Sequence, residues 1–468
     1  MRRATIRMSV DRPTDDIINS IIKQHKTSKD KTLGLYNRYD QQGLAIQSRE
    51  FKDPKKPNNK LAHDYRGYII NQVVGYLWGQ PIAYQVNKLK YSEKEYKTYN
   101  DILTDFNTLN AIDDMDNELG KLISICGYAA RLLYVDTDGV ERAMNLYPWE
   151  VVFIQDGRNT THAMRYYSET YIVKGKEKIR TTVEWYDSIN VSTFIDEDSS
   201  GKYTLKESNA HLFDYNPVIL FQNNDEERGD FEKTEPLIDA YDKNRSDATN
   251  EVETFANAYM KFKGVTVDQE VIDNAKQTGA FEVPENGDAD FITKNINDNF
   301  VENTRKNLNE DIHKFSASVD MADEKFSGAS QSGESRKWKL IDLENKAGTK
   351  ARKFGKGLRE QFKVLCSAWN KKEINLYYLD IFWEFKRNLP IDLLYVGDSV
   401  SKLKGVHSDQ TLLSLIPYID DVDYEMQLME QEREQRNQQR ADLDAASDED
   451  EATDAEDENK EQDGKEEK

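Results

Sequence analysis

Clustered basic side chains are the residues of this sequence best suited to contact a phosphate backbone. One group follows a Gly- and Ser-rich stretch at 321–335 and comprises Arg336, Lys337, Lys339, Lys350, Arg352, Lys353 and Lys356. A second group comprises Lys243, Arg245, Lys261, Lys263, Arg305, Lys306 and Lys314. Such side chains bind phosphates by releasing condensed counterions. The same residues could instead form a solvated helix face or pair with acidic residues of neighbouring subunits.

Motifs that would support catalysis are sparse. The sequence contains no GxxxxGK phosphate loop, no HExxH and no GxSxG. Its six scattered histidines are interpreted as surface or hydrogen-bonded residues: His25, His63, His162, His211, His313 and His407. We therefore expect a non-enzymatic protein with no catalytic residue, metal or cofactor.

Two acidic pairs, Asp113–Asp114 and Asp420–Asp421, keep an alternative open. Carboxylates of this kind could hold Mg²⁺, as in a metal-dependent nucleic-acid-processing enzyme. Carboxylates at helix ends or in turns account for the same pairs at this acidic composition. A third hypothesis is a cytosolic scaffold that never meets DNA.

The charge balance is strongly acidic but uneven. The 468 residues carry 64 basic and 86 acidic side chains, a net charge of -22. This argues against a protein that wraps DNA, although an acidic wall would let DNA pass without sticking. Residues 441–468 hold 14 acidic and three basic residues, half of the net charge, and almost no large apolar ones. We expect this tail to be disordered.

Length and cysteine usage limit the class of protein. A chain of 468 residues is too long for one ordinary core, so several domains are expected. Cys126 and Cys366 lie among apolar neighbours and are interpreted as buried thiols in a reducing compartment. No apolar run approaches the roughly 20 residues that span a bilayer, so we expect a cytoplasmic protein without membrane contact.

Hydrophobic periodicity predicts an α+β protein. In the first half, helices are expected at 14–30, 61–77 and 91–126, and a strand at 82–86. From 129 to 221, runs of β-branched and aromatic residues alternate with Asp-Gly and Ser-Gly turns. That pattern predicts a mostly antiparallel sheet built from hairpins.

Two helices bracket a small insert in the second half. The first is predicted over 236–262 with Thr234 as its N-cap, and the second over 299–318. A long helix is predicted from Arg336 onwards, and the glycines at 348, 355 and 357 are expected to weaken or bend it. The remaining predicted elements are a strand over 374–385 and short helices over 393–429, one of them capped by Ser408.

Four segments, in this order, carry a resemblance to a known family. They are NKLAHDYRGYIINQVVGYLWGQPI (59–82), EPLIDAYDKNRSDATNEVETFANAYMKFKG (235–264), DEKFSGASQSGESRKWKLIDLENKAGTKARKFGKGL (323–358), and FKRNLPID with SDQTLLSLIPYIDD (385–392 and 408–421). The sequence resembles the portal proteins of tailed phages that infect Gram-positive bacteria. The segments occur in the order that the family has and span most of the chain up to about residue 435.

The resemblance implies the α+β portal fold, with wing, stem, clip and crown regions around an axial channel. Its implied boundaries are an N-terminal α/β wing region of helices and a mostly antiparallel sheet at 1–235, stem helices at 236–262 and 299–318, a small α/β clip at 263–298, a tunnel loop at 319–335, a long wing helix with a returning strand at 336–394, a helical crown at 395–440 and the disordered acidic tail at 441–468.

The resemblance also implies partners and site residues. A dodecameric ring would pass double-stranded DNA and contact the terminase large subunit, a head–tail adaptor, and capsid and scaffolding proteins, first in the host cytoplasm and then in the virion. The implied DNA-facing residues of the tunnel loop are Lys325, Phe326, Ser332, Glu334, Arg336 and Lys337. The implied docking residues of the clip are Asp268, Glu270, Glu282, Glu285 and Asp288. Glu334 and Ser335 stand where the family often has apolar residues, so we expect a polar contact with DNA.

Overall fold

Helices and mostly antiparallel sheets share the chain in the computed structural model, which confirms the α+β class. The structure describes residues 3, 6–7, 12–54, 56–156, 159–173, 175–256, 260–263, 268–270, 272–273, 287–291, 298–322, 338–388, 393–416, 419, 422 and 424–439. The chain divides into two units, Met1–Asn388 and Leu389–Lys468. Nothing in the described part of the chain combines the helix length and apolar character needed to cross a bilayer.

Capping side chains fix where the first helices begin. Thr14, Asp64 and Ser92 each accept a hydrogen bond from a backbone N–H in the following turn. The first four helices are α1 (Asp15–Tyr39), α2 (Tyr65–Trp78), α3 (Glu93–Leu109) and α4 (Ile112–Cys126).

Two of these helices differ from the sequence prediction. Helix α1 continues past residue 30 because Thr32 and Leu35 extend its buried face. The single helix predicted over 91–126 is wrong, since the chain breaks between α3 and α4. Ala111 adopts a left-handed conformation with φ of 46°, which a continuing right-handed helix does not allow. At this end of α3, the backbone N–H and the side-chain Nδ2 of Asn110 both donate to the carbonyl of Phe106.

The predicted sheet is two separate sheets. The strands are β1 (Ile6–Arg7), β2 (Ala83–Val86), β3 (Tyr128–Val135), β4 (Glu141–Leu146), β5 (Val151–Asp156), β6 (Asn159–Val173), β7 (Lys176–Tyr186), β8 (Asn190–Asp196), β9 (Thr204–Ala210), β10 (Val218–Gln222), β11 (Met260–Lys263), β12 (Asp288–Phe291) and β13 (Ile381–Glu384). The larger sheet has the order β1-β5-β6-β7-β8-β9 and the smaller one β10-β3-β4, while β11 pairs with β12 and β13 with β2. Only the short β1–β5 contact among these pairs is parallel.

Strand β5 shows how the core is divided. Its side chains alternate between the two faces of the sheet, as the period of a strand requires. Val152 and Ile154 join a buried cluster with Ile18 of α1. Val151 and Phe153 point the other way, into a cluster with residues of the three-stranded sheet. The larger sheet is thus covered by α1 on one face and by the smaller sheet on the other.

Helix α5 (Glu235–Ala256) ends before the predicted residue 262. Residues 260–263 form β11 instead, and Lys263 lies opposite Asp288 in its register with β12. Because α5 begins at Glu235, Thr234 takes the cap position as predicted, and its carbonyl accepts from the N–H of Ile238 at 3.0 Å. Its hydroxyl donates to the carbonyl of Phe231. Helix α6 (Asp298–Ser316) follows close to the predicted range.

Helix α7 (Ile341–Lys371) is the longest helix of the described chain and packs on β10. Its glycines at 355 and 357 make room for neighbours. A Cβ at Gly357 would lie 2.5 Å from Phe221, and one at Gly355 would lie 3.0 Å from Trp383. A Cβ at Gly348 would meet no atom within 4 Å.

The end of the chain contains short elements. The strand predicted over 374–385 is limited to β13, because residues 378–380 form a 3-10 turn before it. In the second unit, helices α8 (Leu393–Leu403) and α9 (Asp409–Ser414) are present, and residues 424–439 are helical. Ser408 caps α9 as predicted, by accepting from the N–H of Thr411. The acidic tail at 441–468 lies outside the described residues.

Gly357→Ala is expected to destabilise the protein by about 1–3 kcal/mol, because the added methyl group overpacks the contact with Phe221. Gly348→Ala is the matched control on the same helix and is expected to stabilise by about 0.5–1 kcal/mol through helix propensity. Urea unfolding of both variants at equal protein concentration measures the difference. Equal gains in stability for the two variants would show that Phe221 moves aside freely.

Candidate functional site

The structure describes part of the implied clip and none of the implied DNA-facing residues of the tunnel loop. All six implied tunnel-loop residues, Lys325, Phe326, Ser332, Glu334, Arg336 and Lys337, lie outside the described residues. Glu282 and Glu285 of the implied clip also lie outside them. Asp268, Glu270 and Asp288 are exposed, and Asp288 belongs to β12. Their role in docking stays a prediction.

The basic residues that invited a DNA-binding hypothesis divide into buried and exposed ones. Lys350 is only 2% exposed and forms an ion pair with Asp230, so the hypothesis that it contacts phosphate is wrong. Lys353 pairs with Asp225, and Arg305 with Glu302. Exposed basic side chains remain in the described regions of α5, α6 and α7: Lys243, Lys306, Lys314, Arg352 and Lys356.

Asp230 and the two lysines paired with it, Lys346 and Lys350, join α7 to the ends of α4 and α6. Burial alone would raise the pKa of this carboxyl group, but the ammonium groups of Lys346 and Lys350 bring it below its ordinary value. The pKa of Lys350 is lowered to about 8 by burial, which Asp230 offsets in part. The Lys350 Nζ also donates to Ser124 at 2.7 Å. The Lys346 Nζ donates to the carbonyl of Ser316, the last residue of α6, at 2.8 Å.

A buried guanidinium fastens α5 to α2. Arg66 is fully buried, and its Nε and Nη2 donate to both carboxylate oxygens of Glu235 at 2.9–3.2 Å. Its Nη2 also donates to Asp239 at 2.8 Å, and its Nη1 lies 3.9 Å from Asp242. The bidentate geometry fixes the angle between the two helices as well as their distance. Sequence reasoning missed Arg66 because it sits in a helix that otherwise reads as apolar.

One face of α5 accepts hydrogen bonds from an extended segment at 59–63. The N–H groups of Asn59, Leu61 and His63 donate to Asn250, Ser246 and Asp242, at 2.7, 2.9 and 2.9 Å. Two residues of extended chain advance about 6.6 Å, and four residues of helix advance about 6 Å. Every second N–H of the segment therefore meets the next turn of α5.

The aromatic ring of Tyr65, in α2, packs against both α5 and α6. Tyr65 lies 5.0 Å from Tyr241 of α5 and 5.9 Å from His313 of α6, as measured between ring centroids. The Tyr65 hydroxyl donates to Asn309 at 2.6 Å. Helices α5 and α6 are thus held together, and to the rest of the first unit, at the end where α5 begins.

No group of three potential metal ligands is present within the described residues. Asp113 and Asp114 lie in the first turn of α4, where helix amides attract carboxylates. Asp420 and Asp421 lie outside the described residues. Cys126 and Cys366 are buried, as predicted, and burial raises the pKa of the Cys366 thiol to about 12. Neither is suited to act as a nucleophile.

Comparison with known proteins decides the family. Residues 18–439 match the family described as phage portal protein, SPP1 Gp6-like. The chain belongs to this family. It is similar to the portal protein of Bacillus phage SPP1, with 24% identity over 409 residues that cover 82% of this chain and 78% of that protein. It is also similar to the portal protein of Clostridium phage phiCD119, with 22% identity over 414 residues that cover 83% and 88%.

The predicted portal family is thereby confirmed. All four segments that carried the resemblance lie within the matched range. The family is structural, and its members form oligomeric rings in virion capsids.

Arg66→Met is expected to lower the free energy of unfolding by about 3–5 kcal/mol, because it leaves three carboxylates facing an apolar side chain. Arg38→Met is the control. Arg38 contacts the same Glu235 at 3.4 Å but is 45% exposed, so its loss should cost less than about 1 kcal/mol. Chemical denaturation of the full-length protein measures both. If Arg66→Met is as stable as wild type, the buried network does not fasten α5.

Proposed function

We propose that this portal protein forms a closed ring at a capsid vertex, through which double-stranded DNA is packaged and ejected. The observation that carries the proposal is the family match over residues 18–439. The order of elements supports it, since helix α5, the small β11–β12 sheet, helix α6 and the long helix α7 follow one another as the resemblance implies. The channel would be built from one copy of these elements in each subunit.

Exposed apolar side chains support lateral contact between subunits. Val252 of α5 and Phe300 of α6 are 68% and 69% exposed, and Phe315 is 59% exposed. Large apolar side chains at the surface of a single chain favour burial against another protein. Heterologous contacts that close into a ring would cover them in every subunit.

The α5–α6 pair is proposed as the stem. At one end of this pair, α5 begins and α6 ends. There Arg66 of α2 binds Glu235 of α5, and Lys346 of α7 binds Ser316 of α6. The other end carries the β11–β12 sheet, because β11 follows α5 and β12 precedes α6. We propose that this end is the clip and docks the terminase large subunit and the head–tail adaptor through acidic residues, namely Asp268, Glu270, Glu282, Glu285 and Asp288.

The charge distribution supports a conduit for DNA. The net charge is -22, and the tail at 441–468 carries -11 of it, which leaves -11 for residues 1–440. An acidic wall repels phosphates and keeps DNA from adhering during transit. Lys325, Arg336 and Lys337 of the implied tunnel loop are proposed to make the brief polar contacts with the backbone.

The full-length protein is expected to form rings of about a dozen subunits, because neighbouring copies cover the apolar side chains of α5 and α6. Native mass spectrometry gives the subunit number, and negative-stain microscopy shows whether the ring is closed. A chain that stays monomeric at every salt concentration tested would contradict the proposal.

Deletion of residues 325–335 is expected to leave ring formation intact and to impair DNA packaging, because the deleted residues are proposed to act on DNA and not on neighbouring subunits. DNA per particle, measured in complemented phage, is the readout. Deletion of 441–468 is the control for loss of a polar segment of the chain. Unchanged packaging in the 325–335 deletion would remove the role proposed for the loop.

A further inference from the structure

One face of α2 carries three polar side chains four residues apart: Tyr68, Gln72 and Tyr76. In a helix, this spacing puts them on one side, and the outer two lie about 12 Å apart along the axis. Their partners belong to two distant parts of the chain. Tyr68 and Gln72 contact the residues that follow α6, and Tyr76 contacts the start of α7.

Gln72 binds both backbone groups of Val319. Its Nε2 donates to the Val319 carbonyl at 2.8 Å, and the Val319 N–H donates to its Oε1 at 2.6 Å. The Tyr68 hydroxyl donates to the same carbonyl at 2.7 Å and accepts from the N–H of Met321 at 3.2 Å. A primary amide is the side chain that matches a backbone donor and acceptor at once.

These contacts are not needed to end α6. Ala317 adopts a left-handed conformation with φ of 54°, and the N–H of Ser318 donates to the carbonyl of His313 at 3.0 Å. The backbone therefore closes the helix by itself, in the arrangement usual for helix C-termini. Gln72 and Tyr68 hold the chain beyond that closure, where Val319 and Met321 belong to no helix or strand.

Tyr76 fastens the start of α7 to the same helix. Its hydroxyl donates to Glu344 at 2.6 Å, and Arg387 donates to both oxygens of Glu344 at 2.8 Å. The hydrogen bonds from Arg387 lower the pKa of Glu344 below its ordinary value, so the carboxylate stays charged. The chain before 323 and the chain after 337 are thus both attached to α2.

We propose that the Tyr68–Gln72–Tyr76 face of α2 is a positioning surface for segment 323–337, with Gln72 as its principal residue. The inference rests on the proposed function, in which this segment belongs to the loop that meets DNA. Gln72 and its neighbours act through Val319, Met321 and Glu344, and they do not touch DNA themselves. They hold the described residues on either side of the segment, namely Val319 and Met321 before it and Glu344 after it.

Rings assembled from full-length Gln72→Ala chains test the inference. Hydrogen exchange at the Val319 and Met321 amides is expected to be roughly 5- to 30-fold faster than in wild type, as loss of one or two net hydrogen bonds implies. DNA packaged per particle is expected to fall, with ring formation unchanged. Asn71→Ala is the matched control, because Asn71 lies on the same helix, is exposed and, among the residues that the structure describes, accepts only a 3.4 Å bond from Tyr39.

Tyr68→Phe provides a second variant that keeps the ring beside His313, 5.5 Å away between centroids, and removes only the hydroxyl. It should shift exchange and packaging in the same direction as Gln72→Ala. Unchanged hydrogen exchange in both variants would overturn the inference. Faster exchange with normal DNA packaging would also overturn it, but would not contradict the proposed portal function. Failure of wild-type rings to package double-stranded DNA would overturn the proposed function itself.

Discussion

A guanidinium group buried away from water constrains how two helices of the first unit pack against each other. Arg66 must be surrounded by carboxylates, because an unpaired buried charge costs several kcal/mol. Glu235 and Asp239 meet it from successive turns of α5. Helix α5 can therefore lie against α2 in one rotation and one register. The hydrogen bonds that α5 accepts from the segment at 59–63 extend the same register along three turns.

Directional contacts of this kind matter especially in a closed ring. Buried polar contacts add little net stability compared with apolar packing, but they specify one geometry. In a ring, each subunit repeats the same angle to its neighbour, and a small error in that angle prevents closure. Within the subunit, helix α2 fixes the positions of several elements at once, since Tyr65 binds α6, Arg66 binds α5 and Tyr76 binds α7. Its apolar residues, including Ile69 and Val73, hold it in the core.

Local sequence signals predicted most element types and missed the places where a remote partner decides. The cap at Ser408 and the strands and turns over 129–221 depend on neighbours in sequence, and both are present. Residues 260–263 read as the end of a helix, but pairing with the strand at 288–291 makes them β11. Gly357 read as a weak point of α7, although it admits the ring of Phe221 from a strand far away in sequence.

The candidate site was harder to predict for a related reason. A charge cluster suggested Lys350 as a contact for DNA, whereas its partner is the buried Asp230. Gln72 attracted no notice, although it binds Val319 across 247 positions of sequence. An enzyme must bring particular reactive groups together, and those groups leave recognisable motifs. A protein that maintains the shape of a channel needs no reactive group. The residues that position its elements therefore resemble ordinary helix residues until their partners are known.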